Sequence, residues 1–183
     1  MHPLTIGFLL SLLLAAAWHD IRTRRIPNAL VFSGAVLGLL LNTALPPEIG
    51  GLGLPGSLAG LGVGFILLLP LYLLRAMGAG DVKLMAMTGA FLGVHDVIAA
   101  FLCILLAGGV LALGMAWRQH KLSWAVHRLK MMLIIGARKE AVEIPPMTVH
   151  LPRNGKAAGL PYGVAIASGT AVYLAVVAFD HWA

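Results

Sequence analysis

Two aspartates stand where a carboxylate is least at home. Asp20 closes an apolar run, and Asp81 opens another within Gly78-Ala79-Gly80-Asp81-Val82-Lys83-Leu84-Met85. An ionised side chain against hydrocarbon costs roughly 3 kcal/mol on insertion scales, so one that persists there usually has a task. Two carboxylates that share one proton can cut an amide with neither a nucleophilic Ser nor a metal. The ionised member takes a proton from water, and the protonated member polarises the scissile carbonyl. The competing assignment is that both aspartates only cap helices, a service Ser or Asn performs without the charge. Gly78 and Gly80 are expected to let the backbone turn sharply, with Asp81 as the N-cap of a helix beginning at Val82.

The elements that must position this pair are membrane helices. Of 183 residues, 60% are hydrophobic and 11% charged, far from the balance of a soluble domain. Apolar runs occupy about 4–18, 29–45, 54–74, 82–94, 97–117 and 160–179, which predicts about six transmembrane helices in an all-α integral membrane protein. The first and fourth are short for a full crossing, and the first is expected to extend toward Ile21. His95-Asp96 is expected to form the connection after the fourth. The expected organisation is one membrane-embedded domain over 1–183 with a basic cytoplasmic or interfacial loop at about 118–159, where Trp124, Arg128 and Lys130 would sit at headgroup depth.

The 13 basic residues fall on alternate sides of these runs. Arg22, Arg24 and Arg25 follow the first, Arg75 and Lys83 flank the turn after the third, and the other eight lie between the fifth and the last. By the positive-inside rule both termini face outward, and Asp20 and Asp81 share the cytoplasmic depth. Carboxylates 61 positions apart in sequence are thereby expected to meet. The net charge of +6 follows from this topology; no nucleic-acid motif accompanies it, and nucleic acid is not expected as a partner.

Other polar residues rank below the pair. His19 adjoins Asp20 but on a helix points about 100° away. Lys83 is either a positive-inside anchor or a group that holds a substrate carboxylate and tunes Asp81. His95 and Asp96 lie a membrane thickness from Asp81, and Glu48, Glu140 and Glu143 have no evident partner. Cys103 is a packing residue, and a lone cysteine excludes an internal disulfide and a Cys-x-x-Cys zinc site. The seven histidines never recur at i, i+3 or i, i+4, so neither a metal nor another cofactor is expected.

At the residues that carry the chemistry the chain resembles the bacterial type IV prepilin peptidases, the leader peptidases of pilins and pseudopilins. Asp20-Ile21-Arg22-Thr23-Arg24-Arg25-Ile26-Pro27-Asn28 is similar to that family's first aspartate followed at fixed distance by Ile-Pro-Asn. The segment from Gly78 to Leu84 is similar to its Gly-x-Gly-Asp-x-Lys-Leu element, and Pro161-Tyr162-Gly163-Val164-Ala165-Ile166-Ala167 looks like the opening of its last membrane helix. The resemblance implies a Gly-x-Gly-Asp aspartic protease with Asp20 and Asp81 as the catalytic pair. Gly78, Gly80, Lys83, Arg22, Arg24, Arg25, Pro27 and Asn28 would shape the site or meet substrate.

It further implies a multi-pass protein of the bacterial inner membrane. The substrate would be a prepilin or pseudopilin whose short basic leader ends in Gly, cut on the cytoplasmic side before its hydrophobic helix. Membrane lipid is the other expected partner. Larger members carry an N-terminal cytoplasmic segment with paired cysteines and also methylate the new N-terminus. This chain starts at its first span and looks most like the compact peptidases of tight-adherence (Flp) pilus systems, so cleavage without methylation is expected. Three other functions compete: a presenilin-like protease that cuts within a helix, which would want its aspartates at mid-bilayer; a small carrier using them as a proton relay; and a non-catalytic pilus assembly factor. Neither the internal repeat nor the mid-bilayer polar residues common in carriers is present.

Overall fold

The computed structural model describes residues 2–74, 77–118 and 162–180. Six α-helices and one short 3-10 turn account for most of them, and no strand occurs among the described residues. The helices are α1 (Pro3–Thr23), α2 (Asn28–Ala44), α3 (Gly53–Leu73), α4 (Ala79–Leu92), α5 (Val94–Arg118) and α6 (Tyr162–Asp180), with the 3-10 turn at Pro47–Ile49. The chain divides into two compact units, 1–108 with 161–183 and 109–160. The described part of the second is the end of α5. The basic segment expected to lie at the interface at about 118–159 falls, from residue 119 on, outside the described residues.

This is an all-α membrane protein. Four helices are long and apolar enough to cross a bilayer: Pro3–Thr23, Gly53–Leu73, Val94–Gly114 and Tyr162–Phe179. Their outward faces carry large apolar side chains that water would not tolerate in such numbers; Leu14, Ile66 and Leu106 are 68%, 63% and 72% exposed. The first run does extend past Ile21, since α1 continues to Thr23 and ends where Arg24 adopts a left-handed φ of 54°.

Of the two remaining helices, α4 is short for a reason visible in the packing. α4 has 14 residues, about 21 Å at roughly 1.5 Å per residue, against the ~30 Å of hydrocarbon. It touches little lipid: every residue from Asp81 to Leu92 except Lys83 is buried. α4 is therefore the axis around which α1, α2, α3 and α6 pack, and its length is set by protein neighbours.

Small residues allow that enclosure. On α3, a Cβ at Gly60 would collide with the Gly89 carbonyl of α4, and one at Gly64 would lie 2.5 Å from the Met85 carbonyl oxygen. On α2, Gly34 lies under Met87, and a Cβ at Gly38 would lie 2.8 Å from the Phe91 ring. Spacing of four places each pair on one helix face, so α2 and α3 both approach α4 at backbone distance.

The last carbonyls of α4 have no intrahelical partner and no water to turn to. Asn42 of α2 donates through Nδ2 to the Ala90 and Phe91 carbonyls at 2.9 and 3.1 Å, and the Ser57 hydroxyl of α3 also donates to Ala90. Gly93, with φ 83°, then reverses the chain directly into α5. The connection is this single residue, and His95 and Asp96 belong to the first turn of α5. A left-handed glycine needs no further residues to turn, which is why the expected two-residue link is absent.

Candidate active site

The other end of α4 gathers the sequence motifs. α4 starts at Ala79, so Gly78 is the N-cap and Asp81 sits three residues inside the helix instead of capping one that begins at Val82. Gly78 is extended (φ −83°, ψ 155°), and neither Gly78 nor Gly80 takes a positive φ, so the expected sharp glycine turn does not form. The Asp81 carboxylate instead reaches back and accepts from the Gly78 N–H at 3.1 Å, the reaching-back half of a capping box. Gly80 serves close packing: a Cβ there would lie 3.3 Å from the Ile26 Cβ.

Asp20 occupies the last turn of α1, with its carboxylate turned into the bundle. Its Oδ2 accepts from the Gly163 N–H at 2.8 Å, a bond across 143 positions that seats the carboxylate on the N-terminal turn of α6. Such a turn offers free N–H groups and the positive end of the helix dipole, so it suits an anion. Asp20 and Asp81 are 7% and 8% exposed, and they lie close enough for the charge of Asp20 to act on Asp81. Arg24 also acts on Asp20, which places one cation near the pair.

The remaining predicted residues form the rim. Lys83 donates from Nζ to Asn28 Oδ1 at 3.1 Å and lies over the Phe32 ring at 5.3 Å. The Ile-Pro-Asn and Gly-x-Gly-Asp-x-Lys elements are thus tied together, Ile26 against Gly80 and Asn28 against Lys83. Pro27 is the N-cap of α2 in extended conformation, as its fixed φ and the helix start require. Arg22 and Arg25 are exposed, and Arg22 stacks over the Trp18 ring at 4.3 Å. His19 is exposed and faces away from buried Asp20, as the helical angle predicts. Asp96 lies in the first turn of α5, beyond the C-terminal end of α4 and so at the opposite end of that helix from Asp81.

Sequence reasoning brought Asp20 and Asp81 to one end of the molecule but missed two groups there. Gly163 was visible only as part of a helix opening, because nothing in its neighbourhood announces a bond to a residue 143 positions earlier. Tyr162 precedes it, half-buried. Ile26, by contrast, stood inside a quoted motif, and its contact with Gly80 explains why a bulky residue there faces a glycine.

No group of three or more His, Cys, Asp or Glu able to hold a metal occurs among the described residues. What the arrangement offers chemically is two buried carboxyls, one backbone N–H on each, and one nearby arginine. Comparison of the chain with curated proteins and with solved structures returned no match. Residues 7–113 match the sequence model of the Type IV leader peptidase family, a stretch that holds Asp20, Asn28, Asp81 and Lys83 and stops short of Tyr162. That match covers more than half of the 183 residues, and the chain belongs to the Type IV leader peptidase family.

Proposed function

We propose that this peptidase-family protein is a membrane aspartic endopeptidase that removes the short leader of type IV or Flp-type prepilins or pseudopilins. The Asp20/Asp81 pair activates water for the cut. The observation that carries this reading is the convergence of two buried carboxyls from separate helices, each held by one backbone N–H, with the charge of Asp20 reaching Asp81. Like charges so placed do not ionise together easily, so the pair shares a proton and titrates in two macroscopic steps. The ionised carboxylate takes a proton from water as the water oxygen bonds to the scissile carbonyl carbon. The protonated partner gives its proton to the carbonyl oxygen. Collapse of the resulting gem-diol breaks the C–N bond, and a proton passes to the leaving nitrogen.

Depth supports a leader junction over cleavage within a helix. Asp20 lies in the last turn of a 21-residue helix and Asp81 in the first turn of α4, so the pair sits at the end of the bundle. The basic rim of Arg22, Arg24, Arg25 and Lys83 supports placing that end on the cytoplasmic face of the inner membrane, with both termini outside. The test is co-expression with a prepilin whose basic leader ends in Gly, read by gel shift and by mass spectrometry of the new N-terminus. Shortening at the leader junction is expected. An inserted, folded protein that leaves the prepilin at full length would overturn the proposal.

A further inference from the structure

From Asp81 to Leu92, α4 is buried except at Lys83, and that one opening faces away from the aspartates. Lys83 lies about 200° around the helix from Asp81, on the side where Met87, one turn further, rests against Gly34 of α2. Its Nζ donates to Asn28 Oδ1 at 3.1 Å and sits over the Phe32 ring at 5.3 Å, which leaves its other N–H groups to donate elsewhere. The amide nitrogen of exposed Asn28 adds further donors beside them. Among the described residues none of these donors meets an acceptor, and no carboxylate pairs with the ammonium. Beneath this polar head, Phe32, Val36 and Leu40 follow Asn28 at intervals of four down one face of α2, and all three are exposed. The lane from Asn28 to Leu40 is about 18 Å long at roughly 1.5 Å per residue. A cation with unused donors above a strip of apolar side chains complements an amphiphile with an anionic head and a hydrocarbon tail.

We propose that Lys83 and Asn28 bind the phosphate of an anionic phospholipid whose acyl chain lies along Phe32, Val36 and Leu40. The Phe32 ring and the Asn28 carbonyl oxygen hold the ammonium in place, so little side-chain freedom is lost when a phosphate arrives. Phosphate oxygens then accept charge-assisted bonds from Nζ and bonds from the Asn28 amide, at the depth where headgroups meet the end of the bundle. A substrate carboxylate fits this place less well. Held by Lys83, it would lie on the far side of α4 from Asp81, with an enclosed helix between it and the carboxyl pair. The inference goes beyond the peptidase reading and is tested without it, because its readout is bound lipid.

The probe is phosphatidylglycerol, titrated into the full-length protein in detergent and read by native mass spectrometry. Phosphatidylcholine, whose phosphate is neutralised by its own choline, is the comparison. The wild type should hold one phosphatidylglycerol in preference to phosphatidylcholine. Lys83→Met should weaken that binding about tenfold, the scale of a lost charge-assisted bond, and Asn28→Ala should weaken it several-fold. Lys83→Arg should keep it, since a guanidinium also stacks on a ring and binds phosphate. Phosphatidylglycerol should raise the melting temperature of the wild type more than that of Lys83→Met. Should Lys83→Met not fold, Asn28→Ala, an exposed position, carries the test alone. A wild type with no preference for phosphatidylglycerol, or folded variants that bind it as tightly as wild type, would overturn the inference. So would a Lys83→Met protein that binds phosphatidylglycerol normally and loses affinity only for prepilins with an acidic residue after the cut, which would assign Lys83 to substrate.

Discussion

The two ends of α4 solve opposite problems with the same short helix. At its C-terminal end Asn42 and Ser57 seal the Ala90 and Phe91 carbonyls, and Phe91 and Leu92 are 0% and 1% exposed. At its N-terminal end polarity is concentrated instead: Asp81 and Lys83 lie near its start, Asn28 accepts from Lys83, and Asp20 is close enough for its charge to act on Asp81. The difference teaches that α4 is anchored at its inert end while its other end carries the buried carboxyl of Asp81. A carboxyl pair needs to stay fixed within tenths of an ångström, and a helix gripped at backbone distance by two neighbours moves little.

Breaking the anchor is expected to have the largest structural effect. Gly89→Leu drives a side chain into the Gly60 carbonyl region, where backbone faces backbone and no rotamer relieves the clash. The loss should reach at least about 3 kcal/mol, seen as a collapse of thermal stability in detergent together with all cleavage. A Gly89→Leu protein with the wild-type melting temperature would show that α3 and α4 do not meet there.

A milder change at the same end sharpens the contrast. Asn42→Leu leaves the Phe91 carbonyl without its donor and should lower stability by about 1–2 kcal/mol, with kcat at a permissive temperature within about twofold of wild type. An equal loss of kcat without loss of stability would mean that Asn42 acts on the site and not on the anchor.

At the site end, Lys83→Met removes one hydrogen bond to Asn28 and one ring contact at a half-exposed position. Such surface interactions contribute about 1 kcal/mol or less, so a modest rise in KM is expected. A fall in kcat beyond about a thousandfold at unchanged KM would make Lys83 catalytic. The smallest effect is expected from a chelator, because the described residues hold no three-ligand cluster and the histidines lack ligand spacing. Cleavage in detergent should survive it; loss that added metal restores would reverse that expectation.

Much of this contrast was legible in the chain before folding. The apolar runs located all six helices of the described residues, because burial in lipid or in the bundle leaves a long, nearly unbroken signal, and alternating basic clusters put Asp20 and Asp81 at one depth. The start of α4 was misplaced by three residues because hydrophobicity begins at Val82 while the helix begins where Gly78 is extended and Asp81 reaches back to its N–H. The three-residue spacing of Gly78 and Asp81 was the available signal. Asn42 and Ser57 passed unnoticed as single polar residues in apolar runs, although Gly34, Gly38 and Asn42 recur every four residues on one face of α2. Gly163 left no local trace, since its bond is purely tertiary.

The central claim is that Asp20 and Asp81 act as one unit, and the measurement that meets it most directly is cleavage by Asp20→Asn, Asp81→Asn and the double variant. Each should insert, elute and melt like wild type, because Asn keeps size and can still accept a backbone N–H. Each should lose cleavage, and the double variant should be no worse than either single one, since removing one member already disables the pair. Wild-type kcat should trace a bell in pH, set by the singly protonated pair. Cleavage near the wild-type rate by either folded Asn variant would contradict the account and leave Asp20 and Asp81 as helix-end ligands of Gly163 and Gly78.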